Sequence, residues 1–472
     1  MCDRSGPDTG ATLCLSAIGQ QDTYLLGGES PFKYDTKRHS NFRKFHRNFN
    51  IIKPSTAVDG WPFAQTVKVT FRPQDMGDLL SNMYIRMKLP ALSSTNYNYA
   101  DRVGRHLFKT ITMRADENVL EIYRDDIGFI HDETFMTQSE MSSRPYSDGR
   151  FIYRNTVLSP NFNAIKSNES VVYVNIPFFF SRSYESTEHE INMQNRPYFP
   201  LCAMNKQKLE FEIEFRPQTF FTDDPTTLGA DAFDIITEEI TLTPEERLFY
   251  TSRKYEMITD VFKTHPKFDT NVNDDRLKLE LTPDGQVRTM FFFLRYKEFE
   301  NENEPNHPTS SDEDYQYYHN RFNCSIYDSY IDDTDYLEDE PILSAKFYIN
   351  GESLPNIAYP DTQYYRYLTK LHYKLNSTAR SIYTYGFSML PKNAEPSGSL
   401  DFTDIKNSRT VLELELRNPV KQYTVHIYYK AYQVFTFENG YLTVRNKPVS
   451  YSTNTEEQGT GESIIYYDSL SK

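Results

Sequence analysis

The sequence predicts an all-β protein made of two consecutive antiparallel sandwiches, with short helices in the loops. Apolar and polar residues alternate strictly in the segments 66–71, 209–215, 277–281 and 412–416. Such alternation is typical of strands that place one face in a core and the other in water. The clearest helical signal is Thr243, a predicted N-cap, followed by Pro244 as the first residue of a short helix. Many strands between Pro- and Asn-rich connections favour sandwiches or barrels.

The second observation is an internal repeat, because three groups of segments recur in the same order in each half of the chain. The matching segments are 67–73 and 83–88 (VKVTFRP, MYIRMK) with 277–283 and 290–295 (LKLELTP, MFFFLR), 113–120 (MRADENVL) with 347–354 (FYINGESL), and 209–218 (LEFEIEFRPQ) with 412–419 (LELELRNP). This pattern predicts a duplicated all-β domain of about 200 residues, with a longer insertion in the second copy.

The repeat and the composition divide the chain into segments. We predict an N-terminal arm over 1–54 that is basic from residue 33, a first sandwich over 55–221, a linker over 222–245, a second sandwich over 246–449 and a C-terminal tail over 450–472. The linker begins with the turn-forming residues TDDPTTLG. Within the second sandwich, residues 298–340 carry fourteen Asp or Glu and one Arg, which predicts a long, solvated, negatively charged loop.

Charge argues against nucleic acid as a general partner, because the chain has 66 acidic and 51 basic side chains and a net charge of −15. The arm inverts this balance with a cluster of basic residues: Lys33, Lys37, Arg38, Arg43, Lys44, Arg47 and Lys53. This cluster predicts a docking surface for an acidic partner, lipid headgroups or nucleic acid. The alternative is that its charges pair with the acidic surface of the protein itself.

The sequence predicts no catalytic, cofactor-binding or metal-binding site. It contains no G-x-S-x-G, G-x-G-x-x-G or Walker A motif. The four cysteines lack paired spacing and are expected to be free thiols in a reducing compartment: Cys2, Cys14, Cys202 and Cys324. The sequence leaves open a pair of catalytic carboxylates of the kind found in glycosidases. However, sugar-binding clefts usually carry stacking Trp residues, and the chain has only Trp61. The most apolar runs, 171–180 and 290–294, are too short to cross a bilayer.

Four groups of motifs carry a resemblance to a known family. They are QDTYLLG at 21–27 with RHSNF at 38–42, NIPFFFSR at 175–182 with PLCAM at 200–204, IYTYGFSM at 382–389 with PSGSLDFTDI at 396–405, and YQVFTFENGYL at 432–442. In this order they resemble the double jelly-roll major capsid proteins of nucleocytoplasmic large DNA viruses, such as iridoviruses, phycodnaviruses and mimivirus relatives. The resemblance extends roughly from Gln21 to Leu442.

The resemblance implies two tandem eight-stranded antiparallel jelly rolls and a homotrimeric, pseudo-hexagonal capsomer that tiles an icosahedral shell. It implies a virion capsid protein assembled in the host cytoplasm, with other copies, minor capsid and penton proteins and a possible internal membrane as partners. The basic arm would lie at the capsomer base, and the acidic loop on its outer rim. In the segment Pro396-Ser397-Gly398 we expect a structural turn, because proline presets the turn and glycine supplies a positive φ.

Some features depart from the family pattern. They are the acidic insertion, a C-terminal motif with the single glycine Gly440, and the tail. These departures leave open a divergent double jelly-roll protein, either a minor capsid protein or a scaffold that shapes membrane. An alternative from another class is a carbohydrate-binding or carbohydrate-active β-sandwich protein.

Overall fold

The computed structural model of the chain describes residues 42–445, except 95–96, 98, 101–102, 138–139, 141–144, 150–168, 183–196, 223, 302–340, 357–360, 377–380, 395, 403–404, 406–409 and 418–421. Several sequence predictions lie outside the described residues. They concern Lys33, Lys37 and Arg38, Cys2, Cys14 and Cys324, the acidic insertion from 302 to 340, and the tail.

The described residues form mainly β-strands. The strands are β1 (Arg43–Ile52), β2 (Thr66–Phe71), β3 (Leu79–Leu89), β4 (Phe108–Ala115), β5 (Asn118–Arg124), β6 (Ser170–Asn175), β7 (Phe199–Pro200), β8 (Leu209–Phe215), β9 (Ala232–Thr241), β10 (Tyr255–Thr264), β11 (Phe268–Asp269), β12 (Arg276–Leu281), β13 (Gln286–Tyr296), β14 (Ile342–Ile349), β15 (Glu352–Leu354), β16 (Tyr383–Gly386), β17 (Leu400–Asp401), β18 (Thr410–Leu416), β19 (Tyr423–Glu438) and β20 (Tyr441–Arg445).

The helices are short and lie in the connections between strands, as the sequence predicts. They are α1 (Val103–His106), α2 (Asp125–Thr134), α3 (Pro145–Asp148), α4 (Pro244–Thr251) and α5 (Thr369–His372), with a π-helical turn (Tyr364–Leu368) leading into α5. In α4 the predicted cap is present, because the side chain of Thr243 accepts a hydrogen bond from the backbone N–H of Glu246. Among the described residues, no helix is long and apolar enough to span a bilayer.

The strands form two jelly rolls with the same strand order. In the first, β1-β9-β3-β6 faces β2-β8-β4-β5, and in the second, β10-β19-β13-β16 faces β12-β18-β14-β15. All these pairings are antiparallel. The repeated sequence segments occupy matching strands, since β2, β3, β4, β5 and β8 correspond to β12, β13, β14, β15 and β18. The predicted duplicated all-β fold is therefore confirmed.

Two predicted boundaries are wrong. The expected linker 222–245 contains β9, which lies between β1 and β3 in the first sheet. Its alternation is hidden because Glu238 and Glu239 follow Thr237, yet Phe233 and Ile235 face the core. The expected arm 1–54 contains β1, where Phe49 and Ile51 pack against the same core. Both strands are needed to complete the first sheet, so neither segment is a free connection.

The hydrophobic residues form two clusters. One contains the core of the second jelly roll, with Leu412, Leu414 and Phe347. The other contains the core of the first jelly roll and continues into side chains of the second, such as Phe291 and Phe435. Apolar packing is therefore continuous from the first jelly roll to the neighbouring face of the second.

Candidate functional site: the interface between the jelly rolls

One sheet of the second jelly roll is buried on both faces. In β13, Met290, Phe292 and Leu294 point into the core of the second jelly roll, whereas Phe291 and Phe293 belong to the cluster shared with the first. All but two residues of β19 are buried. A strand of an antiparallel sheet is usually buried on one face only. The second face of this sheet therefore forms an interface with the first jelly roll, which we call the inter-roll interface.

Aromatic side chains form the apolar part of the inter-roll interface. Phe135, directly after α2, lies with its ring 5.7 Å from that of Phe291. Phe179, in the segment after β6, lies 5.0 Å from Phe435. Edge-to-face and tilted contacts at such distances stabilise packing by about 0.5–1.5 kcal/mol each beyond the burial of area.

A buried group of charges crosses this interface at Asp260 on β10. Its carboxylate accepts hydrogen bonds from Arg288 at 2.7 Å and from Arg182 of the first jelly roll at 3.1 Å. The ammonium of Lys430 lies 2.6 Å from the same carboxylate. Glu121 on β5 pairs with Arg182 and also accepts the backbone N–H of Phe262 at 3.0 Å. Two carboxylates and three cations from both jelly rolls thus form one cluster, which we call the Asp260 cluster.

Burial shapes the ionisation of the Asp260 cluster. Burial acts to raise the pKa of Asp260, but the charges of Lys430, Arg288 and Arg182 outweigh it and hold that pKa below its ordinary value. Burial is the main cause that lowers the pKa of Lys430 to about 7. The attraction of Asp260 acts to raise this pKa, whereas repulsion from Arg288 and Arg182 lowers it further. Loss of one lysine proton would balance the two carboxylates against the two guanidinium groups.

A second charge group joins the jelly rolls through Asp126 on α2. Its carboxylate pairs with Arg295 on β13 and accepts a hydrogen bond from the hydroxyl of Tyr428 at 2.6 Å. Arg295 also donates to Glu300 at 3.0 Å, and His426 lies between the two carboxylates. Burial acts to raise the pKa of Asp126, but the charges of Arg295, His426 and Lys267 together outweigh it and hold that pKa below its ordinary value. Burial lowers the pKa of His426, which favours its neutral form.

The chemistry of this interface is that of a joint between two rigid units. Its carboxylates are matched by cations within hydrogen-bond distance, and no group of candidate metal ligands is found among the described residues. Breaking one partner of a buried ion pair typically costs about 3–5 kcal/mol, so the charges oppose any change in the relative orientation of the jelly rolls. Sequence reasoning missed these residues. The one available signal was the presence of charges such as Arg288 and Lys430 inside apolar strands.

The structure describes four residues of the predicted basic docking surface. Arg43, Lys44 and Arg47 lie on β1, and Lys53 follows it. Lys44 is 2.9 Å from Glu238, and Arg47 is 3.3 Å from Glu239. For these two residues, the alternative of pairing with the acids of the chain itself is therefore observed, and docking stays a prediction.

The predicted turn Pro396-Ser397-Gly398 packs against the second jelly roll. Gly398 has a φ of +109°. The backbone N–H of Ser397 donates to the hydroxyl of Tyr432 at 3.0 Å, and the Ser397 side chain accepts the N–H of Leu390 at 3.0 Å. Cys202, which the sequence predicts to be a free thiol, is free and buried.

Comparisons with known proteins agree with this architecture. Residues 30–249 match the family model described as major capsid protein N-terminus, and residues 245–443 match that of the large eukaryotic DNA virus major capsid protein. No curated protein sequence matches the chain.

Solved structures share the fold at low sequence identity. VP54 of PBCV-1, as fitted into a reconstruction of the virophage Sputnik, has a TM-score of 0.63 at 14% identity, covering 88% of this chain and 98% of VP54. A quasi-atomic PBCV-1 capsid gives the same values. The Faustovirus major capsid protein has a TM-score of 0.59 at 10% identity, covering 85% of this chain and 91% of its own.

Proposed function

Because this chain belongs to the family of major capsid proteins of large eukaryotic DNA viruses, we propose that three copies form a pseudo-hexagonal capsomer that tiles an icosahedral shell. The resemblance read from the sequence motifs is confirmed, and the chain is a structural protein of the virion capsid. We propose that the chain assembles into capsomers in the host cytoplasm and has no catalytic activity.

The observation that carries the proposal is the equal strand order of the two jelly rolls. Three chains around a threefold axis would present six similar units, which gives a hexagonal outline from a single gene product. Closed cyclic symmetry keeps such a particle finite. The inter-roll interface supports the same proposal, since six units tile a plane only if the angle between the two within each chain is fixed.

We further propose minor capsid and penton proteins, and an internal membrane, as partners at the capsomer base. Support comes from the exposed side chain of Arg43 and the half-buried side chain of Lys53. An acidic protein surface or an anionic membrane would complement them.

Light scattering after size-exclusion chromatography tests the proposal on the full chain. We expect a particle of three times the chain mass of 55.4 kDa. A monomer at every protein concentration would contradict the capsomer and favour the sugar-binding sandwich.

A further inference from the structure

The two jelly rolls differ in what covers their matching sheets. The outer face of β10-β19-β13-β16 is covered by the first jelly roll. Among the described residues, nothing covers the matching face of β1-β9-β3-β6. There, every second residue of β1 is exposed and the side chain of Tyr173 on β6 is 42% exposed. Matching positions in the two sheets are identified from the strand pairing. Phe291 on β13 pairs with Tyr428 on β19 in the covered sheet, and Tyr84 on β3 pairs with Ile236 on β9 in the open sheet.

Two segments of the first jelly roll cover that sheet. One is α2 with Phe135, which follows β5, and the other is the segment 176–182, which follows β6. Their contact residues Ile130, Phe135 and Phe179 are at most 2% exposed. In the second jelly roll, the segments at the same places in the topology are the helical segment 362–372, which follows β15, and the segment 387–393, which follows β16.

These second-roll segments carry apolar side chains that no other described residue covers. Leu368, Leu371 and Met389 are 54%, 75% and 76% exposed. Leu368 and Leu371 are three residues apart and lie on one side of the helical segment. That segment sits beside β16, because the hydroxyl of Tyr373 donates to the carbonyl of Gly386 at 2.8 Å. Met389 is three residues beyond Gly386 on the chain that leaves β16. We group these three exposed side chains, from the two segments next to β16, as the Leu371 surface.

We propose that the Leu371 surface of one chain packs on the open face of β1-β9-β3-β6 of a second copy, around Tyr84, Tyr173 and Ile236. The proposal rests on the trimeric capsomer and names the faces that build it. Each contact between chains would repeat the contact that the first jelly roll makes with the second within a chain. Because the two faces are different, the contact runs head to tail and closes when the ring is complete.

The charges of the open face fit this arrangement. Arg86 donates to Asp234 at 2.8 Å, and its Nε donates to the hydroxyl of Tyr173 at 3.2 Å. Lys44 pairs with Glu238 at the other side of the same face. The acids are thus already paired, so an apolar surface can cover the central Tyr and Ile residues without leaving an unpaired carboxylate beneath it.

The first test changes the Leu371 surface. We expect L371D/M389D to be a folded monomer under conditions in which the unchanged chain is a trimer, as measured by light scattering and circular dichroism. The matched control is V272D, since Val272 is 49% exposed in the connection between β11 and β12, and it is expected to stay trimeric. If both the unchanged chain and L371D/M389D are trimers, this inference is overturned and the proposed capsomer stands. A monomeric unchanged chain overturns the proposed capsomer itself.

The second test uses cross-linking and does not depend on weakening the trimer. The full chain with both Y84C and L371C is treated with a short bismaleimide, and we expect covalent dimers and trimers on denaturing gels. Each single variant is treated in parallel, because native cysteines react as well. Products limited to the level of the single variants, with a trimer present in solution, would overturn the proposed pairing of faces.

Discussion

Arg182 of the first jelly roll donates a hydrogen bond to Asp260 of the second at 3.1 Å, and both side chains are buried. Asp260 also holds Arg288 and Lys430, so one carboxylate balances cations from both jelly rolls. The orientation of the two units therefore depends on a charge cluster as well as on apolar packing. This relationship leads to predictions about stability, pH and assembly.

Replacing the central carboxylate should strongly destabilise the chain. We expect D260N to lower the free energy of unfolding by about 3–5 kcal/mol, because three buried cations lose their shared partner. Chemical denaturation measures the change. K278Q, which removes an exposed cation 3.8 Å from Glu413, is the control and should cost at most about 1 kcal/mol. Equally small effects of both variants would mean that the Asp260 cluster does not stabilise the inter-roll interface.

Lys430 should make stability depend on pH in the alkaline range. Its pKa is lowered to about 7 in the folded chain, whereas an unfolded lysine titrates near about 10.4. Between these values the unfolded chain binds more protons, so stability rises as the pH increases from about 7 to 10. K430M should reduce this slope by about 1.4 kcal/mol per pH unit.

Denaturation midpoints at several pH values measure that slope. Lys370, with a pKa also lowered to about 7 mainly by burial, contributes a similar slope in both proteins. Parallel pH profiles for the unchanged chain and K430M would show that Lys430 keeps an ordinary pKa.

The helical segment that carries Leu371 depends on the absence of a side chain at Gly386. A Cβ there would lie 2.6 Å from the ring of Tyr373. We expect G386A to displace this ring, to cost about 1–3 kcal/mol by overpacking and to weaken the trimer. G229A is the control, because its Cβ would have no neighbour closer than 3.5 Å. If G386A behaved like G229A in thermal unfolding and in particle mass, Gly386 would not position the segment.

Arg43, the first residue of β1, and Lys53, directly after β1, provide a test of docking. We expect R43E/K53E to keep the trimer and to impair shell assembly, as seen by electron microscopy of assembly reactions with the minor capsid proteins. R47E is unsuitable, because it would place a carboxylate beside Glu239. The control is K278E on the second jelly roll. Normal shells from R43E/K53E would exclude basal docking through these two residues.

Much of the fold could be predicted because its strands bury one face. Strands such as β8 and β18 alternate without interruption, so their type and their repetition are visible in the sequence. β9 escaped prediction because Glu238 and Glu239 look like solvent-exposed residues, although both are buried and paired with β1. β19 shows no alternation for the opposite reason, since both of its faces are covered.

The candidate site could not be predicted because it depends on tertiary structure. Glu121, Arg182 and Asp260 are far apart in the sequence, and no local pattern marks them as neighbours. The exposed Leu371 and Met389 look like core residues in the sequence. Only the correspondence between the two jelly rolls shows that their places match buried contacts in the other half.

A cryo-electron microscopy map of the purified full-length protein tests the central claim most directly. We predict three chains around a threefold axis, six jelly rolls in a hexagonal outline, and density for Leu371 of each chain against Tyr84 of the next. Isolated chains, or a particle in which the sheet β1-β9-β3-β6 stays exposed to solvent, would contradict the account.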